Sequence, residues 1–486
     1  MPSRSPTSQA PLAASGGGRR HPRWRARGVA AAALAALLLP MAVLVQAAGG
    51  SGGGGAGSGS GGTAAAVPAA TSVTAPATTA AVADAVPGDV LLVLANGDAI
   101  TPLLGQYGLS ITGRFGSRPI FRVRSVNGTP VKDLVAALSL APGVLSAEPN
   151  LRHAAPERQR VKNYVWAIGT PQAYAAQWAL DAMGLPRAQA VAQGAGVRVA
   201  VLDTGFALDH PALAGHLLAG RDFVDGAATP ADTALPTQDG YGHGSHVAGL
   251  VARVAPGAAI LPARVLDNDG QGNAWVLAEA LLWAVDPDGD PDTADGARVI
   301  NLSLAGLDRT RLVGLAARLA RCSAADGPDT APDLADSGYN ADRQRCGRHG
   351  GALLVAAAGN DASPSLRTYP AAEGAAELLA VAASNAAGQL AGFSNSGGWI
   401  QLAAPGDGVT STVPGGGYAT WGGTSMAAPL VAGTAALAMS LQPAMPARDV
   451  ARCLLTSTGT LAGTRLRQLD AGLALSRLAA GPDHCR

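Results

Sequence analysis

A parallel β-sheet covered by helices, with a small α+β unit ahead of it, is the α/β architecture this sequence predicts. Three observations lead there. Apolar, β-rich runs at Val197–Leu202, Ala259–Val265, Val299–Leu304, Ala352–Ala357 and Leu378–Ala383 alternate with segments of helical spacing. Strands buried on both faces read as such continuous runs, and helical crossovers between them make the sheet parallel. Upstream, Val86–Asn150 follows the order β-α-β-β-α-β, the pattern of a ferredoxin-like unit. The texture also changes near Val86, from low-complexity Gly, Ser, Ala and Thr to patterned sequence.

Taken in order, residues 1–48 carry Arg4, Arg19, Arg20, Arg23, Arg25 and Arg27 ahead of the uncharged run Gly28–Ala48. A basic start, an apolar core and a small-residue end describe a secretory signal peptide. The run is also about long enough to span a bilayer, so an uncleaved anchor is the competing reading. Pro40 and the small closing residues favour cleavage. Residues 49–85 read as a flexible linker.

Within the unit 86–151, Val90–Gly97 reads as a strand running into a turn and Thr101–Tyr107 as a short helix. Ser110–Phe115 and Ile120–Val126 alternate as strands, Val131–Leu140 has helical spacing, and Gly143–Glu148 closes the unit as a strand. The polar stretch Arg152–Lys162 is exposed in character, a place where a processing protease would cut. Residues 165–486 form the main body, in which no segment is expected to cross a membrane.

Hydrophobic residues make up 48% of the chain and charged residues 14%, too apolar a mixture for a disordered protein. A net charge of +1 gives no reason to expect nucleic acid or an acidic partner. Four cysteines in an exported chain suggest two disulfides, with three pairings open. Sequence neighbours, Cys322–Cys346 and Cys453–Cys485, are the simplest choice, and four free buried thiols are the alternative.

In an open α/β sheet, ligands bind beyond the carboxyl ends of the strands. Asp203 stands there, in Val199-Ala200-Val201-Leu202-Asp203-Thr204-Gly205. His243 and His246 open an apolar helix in Gly242-His243-Gly244-Ser245-His246-Val247-Ala248-Gly249. Their spacing is one residue short of the helical zinc motif and no acid lies between them, which argues against a metal. Ser425, in Gly422-Gly423-Thr424-Ser425-Met426-Ala427-Ala428-Pro429, begins a strongly apolar helix, where glycines and small residues leave its hydroxyl unshielded. Met singly, these are a turn acid, a cap and another cap.

Together, in the order Asp, His, Ser, the motifs resemble the subtilisin-like (S8) peptidase family over roughly Gln177–Ala480. Subtilisin is a standard example of that chain order. The resemblance implies a secreted serine endopeptidase with Asp203 as triad acid, His243 as base and Ser425 as nucleophile. His246 is then structural, and Ser245 replaces the family's usual Thr. Asn360, in Ala356-Ala357-Ala358-Gly359-Asn360, matches the oxyanion-hole asparagine. Ser303, Leu304 and Ala305 resemble the Ser-Leu-Gly substrate strand, with Ala305 in place of glycine, and Gly270 and Gly272 resemble the opposing edge.

The resemblance further implies that 86–151 is an I9-like inhibitory propeptide acting as an intramolecular partner and removed by self-processing. The expected partners are otherwise protein or peptide substrates, and the expected state is a monomer. No cofactor is needed for catalysis. The acidic loop holding Asp286, Asp288, Asp290 and Asp292, with Asp295 nearby, suits structural calcium or stands simply as a solvated loop.

Overall fold

The computed structural model describes residues 84–158, 166–323 and 337–485. The expected signal segment and all but the last two residues of the linker lie outside them.

The first unit is β1 (Ala85–Leu94), α1 (Ile100–Tyr107), β2 (Leu109–Arg114), β3 (Ile120–Ser125), α2 (Val131–Leu138) and β4 (Val144–Ala154). The order of elements is the expected one. The strands run antiparallel in the spatial order β2-β3-β1-β4. Val90, Leu92, Leu94, Phe121 and Val123 pack on Leu103, Leu134 and Leu138 of the two helices.

The main body is built on β5 (Arg198–Asp203), α3 (His243–Val254), β6 (Ala259–Arg264), β7 (Gln271–Asn273) and α4 (Ala274–Ala284). It continues with β8 (Val299–Leu302), α5 (Arg311–Arg321), β9 (Leu353–Ala357), β10 (Leu378–Ser384) and β11 (Leu402–Pro405). A hairpin of β12 (Val409–Val413) and β13 (Gly417–Trp421) then leads to α6 (Thr424–Leu441). The parallel core runs β11-β10-β9-β8-β5-β6, extended by short strands at both edges. The short strand β11 and the β12–β13 hairpin lie beyond the five runs read from sequence.

The two faces of the sheet bury separate apolar layers. Val199, Val201, Val355 and Val381 face α3 and α6, whereas Ala200, Leu202, Ile300 and Leu354 face α4 and α5. Burying each such Leu or Val contributes roughly 1.5–3 kcal/mol. Helix α6 is long and apolar enough to cross a bilayer, contrary to the expectation that no later segment is. Nearly all of it is buried, because it runs beneath β9, β10 and β11 as the central core helix.

Both sequence-neighbour disulfides form, Cys322–Cys346 and Cys453–Cys485, across separations of 24 and 32 residues. Each closes a loop worth roughly 3–4 kcal/mol in the chain-entropy account.

Helices α3 and α6 approach closely where Gly433 faces Val254, and a Cβ on Gly433 would lie 2.6 Å from the Val254 Cβ. Gly433→Val therefore forces apart the helices that begin at His243 and Thr424. We expect a loss of about 1–3 kcal/mol from overpacking. A lower melting midpoint of the variant than of the wild-type chain checks this.

Candidate active site

The fold brings the sequence-predicted residues to one end of the sheet. Asp203 closes β5, His243 opens α3, Ser303 follows β8, Asn360 follows β9, and Ser425 lies in the first turn of α6. Gly359, at φ +93°, turns the chain out of β9 so that Asn360 faces the helix start. All five are buried.

Asp203 Oδ1 accepts from the Thr204 amide at 2.7 Å and from His243 Nδ1 at 2.6 Å. Asn360 Oδ1 accepts from both the amide and the hydroxyl of Thr424, each at 2.9 Å, which orients its Nδ2 outward. Ser303 Oγ donates to the Ser425 carbonyl at 2.9 Å, bracing the helix start.

Into this group comes Glu157. Its Oε2 accepts from Ser425 Oγ at 2.8 Å and faces His243 Nε2 at 3.0 Å, while its Oε1 accepts from Asn360 Nδ2 at 3.0 Å. Both imidazole nitrogens thus face carboxylate oxygens, and only an imidazolium can donate to both. Burial opposes the charge, but Asp203 and Glu157 outweigh it and push His243 up to about 10.

Glu157 arrives on the continuation of β4. Arg152, His153 and Ala154 pair antiparallel with Asn273, Gly272 and Gln271 of β7, and the Ala155 amide donates to the Gly270 carbonyl at 2.9 Å. On the other side, Ala154 and Ala305 exchange two backbone hydrogen bonds at 2.9 and 2.8 Å. Gly270, Gly272 and Ala305 therefore border a cleft that holds one extended strand. Leu304 is buried just beneath it. A cavity of about 300 Å³ opens beside this strand, lined in part by Ala305, Gly306, Asn360, Asp361 and Thr368.

Residues 194–474 match the family model described as "Subtilase family". The chain belongs to the subtilase family. It is 36% identical to thermitase of Thermoactinomyces vulgaris over 265 residues, 52% of this chain and 79% of that protein. It is 32% identical to an extracellular protease of Xanthomonas campestris pv. campestris over 378 residues, 69% of this chain and 58% of that one. The crystal structure of fervidolysin from Fervidobacterium pennivorans, a keratinolytic enzyme related to subtilisin, matches with a TM-score of 0.60. That likeness has 24% identity and covers 81% of this chain and 61% of that one. This subtilase is a serine peptidase with the subtilisin-like fold.

His246 stacks on Trp421 and meets the Ala419 carbonyl through Nε2, and burial lowers its pKa to about 3, so it is a neutral structural group. The Ser245 hydroxyl accepts from the Ala207 amide at 2.8 Å. In the acidic loop, the carboxylates that converge are Asp286, Asp288 and Asp295. Asp292 instead pairs with Arg348, and Asp290 Oδ1 accepts from the Asp292 amide.

The reading of Arg152–Lys162 as exposed is corrected for its first half. His153 and Glu157 are buried, because β4 runs on into the cleft. Sequence reasoning missed Glu157, since a lone acid in a polar stretch has no periodicity to mark it. Its one signal is position: it follows directly on a strand whose main chain fills the cleft.

His153 is 3% exposed, its ring nitrogens have no partner among the described residues, and burial pushes its pKa down to about 4. A base whose folded pKa lies below its free value of about 6.5 supports the folded form fully above that pH and loses hold on acidification. His153 therefore loosens the hold of β4 as pH falls from about 6.5 to 4, whereas Glu148 on the same strand, pushed up to about 7 by burial, tightens it over an overlapping range. Hydrogen exchange of the Val144–Ala155 amides at about pH 4 in Ser425→Ala protein, corrected for intrinsic rates, should therefore be slower when His153→Leu is added.

Proposed function

We propose that this subtilase is a secreted endopeptidase working through Asp203, His243 and Ser425, made as a precursor that processes itself. The observation that carries the reading is convergence: Ser425 Oγ, His243 Nε2 and Asn360 Nδ2 all reach one carboxylate at 2.8–3.0 Å. A reacting carbonyl set at that point would meet a nucleophile, a base and an oxyanion donor at once.

In the freed enzyme, His243 takes the Ser425 proton as the hydroxyl attacks the peptide carbonyl. Asp203 holds the ring tautomer and stabilises the imidazolium. The Asn360 amide donates to the oxyanion of the tetrahedral intermediate. His243 then gives its proton to the leaving amine, an acyl-enzyme remains on Ser425, and water hydrolyses it. The substrate enters as an extended strand between Ala305 and the Gly270–Gly272 edge, so recognition is chiefly through main chain. The adjoining cavity receives a side chain.

The unit ending near Asn150 is read as an inhibitory propeptide, supported by its grip on the main body. Glu148 accepts from the Arg311 and Leu312 amides at the start of α5, both at 2.8 Å, although burial outweighs these donors and pushes its pKa up to about 7. Asn150 Oδ1 accepts from the Trp275 amide in the first turn of α4 at 3.1 Å. Two disulfides and the extracellular relative support export. Asp286, Asp288 and Asp295 would hold a structural Ca²⁺. The buried Asp286 Oδ1 has no hydrogen-bond partner, and the three carboxylates supply hard oxygen ligands.

Ser425→Ala should abolish hydrolysis of a casein substrate, release of the propeptide and labelling by a fluorophosphonate probe. Normal processing of that variant, expressed without other proteases, would remove self-cleavage from the reading. Asn360→Ala should lower kcat roughly 100- to 1000-fold with little change in KM. Steady-state kinetics of the mature form checks this.

A further inference from the structure

We propose that Glu157 is the plug that keeps the uncut chain inactive, its side-chain carboxylate standing in the cleft where a substrate presents its scissile carbonyl. The inference rests on the catalytic reading above and names the residue that regulates that site.

The backbone first delivers the segment like a substrate and then withholds it. Up to Ala155 the strand is bonded on both sides, through Gly270, Gln271, Gly272 and Ala305. At Pro156 the amide donor is missing, and Pro156–Arg158 coil into a single 3₁₀ turn. That turn carries the main chain out of the strand and sends the Glu157 side chain down instead.

The carboxylate then engages each reactive group: Ser425 Oγ, His243 Nε2 and Asn360 Nδ2. It lies directly against Gly423, where any side chain would collide with it. Such an occupant is inert for two chemical reasons. A carboxylate carbon, already sharing negative charge over two oxygens, is a poor electrophile. An imidazolium held between Asp203 and Glu157 has no lone pair on Nε2 with which to take the serine proton. The base is therefore disarmed by the same group that fills the oxyanion position. Removing the carboxylate should expose Ser425 and release His243 even while β4 remains in the cleft.

The test reads how fast a fluorophosphonate labels the uncut chain relative to the mature form, both resolved on one gel during maturation. In the wild type the uncut chain should label at least tenfold more slowly than the mature form. In Glu157→Ala that gap should close and mature protein should accumulate earlier. Glu157→Gln keeps the shape but loses the charge and one of the two acceptor oxygens, so it cannot accept from both Ser425 and Asn360, and it should fall between. If uncut Glu157→Ala labels as slowly as wild type while its mature form labels normally, the plug is wrong and the peptidase reading stands. If Glu157→Ala yields no intact precursor, Glu157→Gln decides, and labelling no faster than wild type overturns the proposal. No labelling of any mature form would sink both readings.

Discussion

The carboxyl edge of the parallel sheet is the constraint on which the rest of this molecule depends. Asp203, Ser303 and Asn360 come from the ends of β5, β8 and β9, which are neighbours in the sheet order β9-β8-β5. Strand spacing alone therefore sets them side by side, since adjacent strands lie about 4.8 Å apart. His243 and Ser425 come from helices that cross on one face of that sheet. Their alignment relies on Gly433 allowing α6 to reach Val254 of α3. A residue that acts at atomic distances is thus held by packing some way from it. Cores as dense as crystals transmit such placement faithfully.

Local hydrogen bonds complete what the layers begin. Thr424 uses its amide and its hydroxyl on one oxygen of Asn360, and the same hydroxyl accepts from the Gly359 amide at 3.1 Å. The Thr204 hydroxyl accepts from the Gly244 amide at 2.9 Å, joining the end of β5 to the start of α3. These buried groups are satisfied by one another, so the Asn360 donor and the His243 ring are oriented before any substrate arrives. Preorganised donors cost no reorganisation during reaction, which is why they carry so much of the rate.

Much of this was legible in the sequence because it rests on periodic or glycine-marked signals. The five sheet runs are apolar on both faces, and each matches an observed strand to within two residues. Asp203, His243, Asn360 and Ser425 sit at strand ends and helix starts, positions that motifs mark. Features that depend on pairing across long separations were not legible. Asp290 and Asp292 sit in the acidic run, yet Asp295 joins Asp286 and Asp288, because loop closure and Arg348 decide which carboxylates converge. The burial of His153 follows from the strand register with β7, more than 100 residues away, which nothing in the local sequence announces.

Glu157 shows the same limit in its sharpest form, and also why such a residue fits this fold. A cleft that recognises main chain binds any extended segment of sufficient reach, including one from its own chain. Tethering makes that segment's effective concentration high, so occupancy is easily won. The harder requirement is to occupy the cleft without being cut. Binding through strand pairing up to Ala155 supplies affinity, and a proline followed by a tight turn ends the resemblance to a substrate at the point of attack. Affinity and reactivity are thereby assigned to different residues. In the proposed mechanism two carboxylates then compete for one imidazole: Asp203 prepares it for catalysis, and Glu157, on its opposite nitrogen, holds it in the protonated form in which it cannot begin.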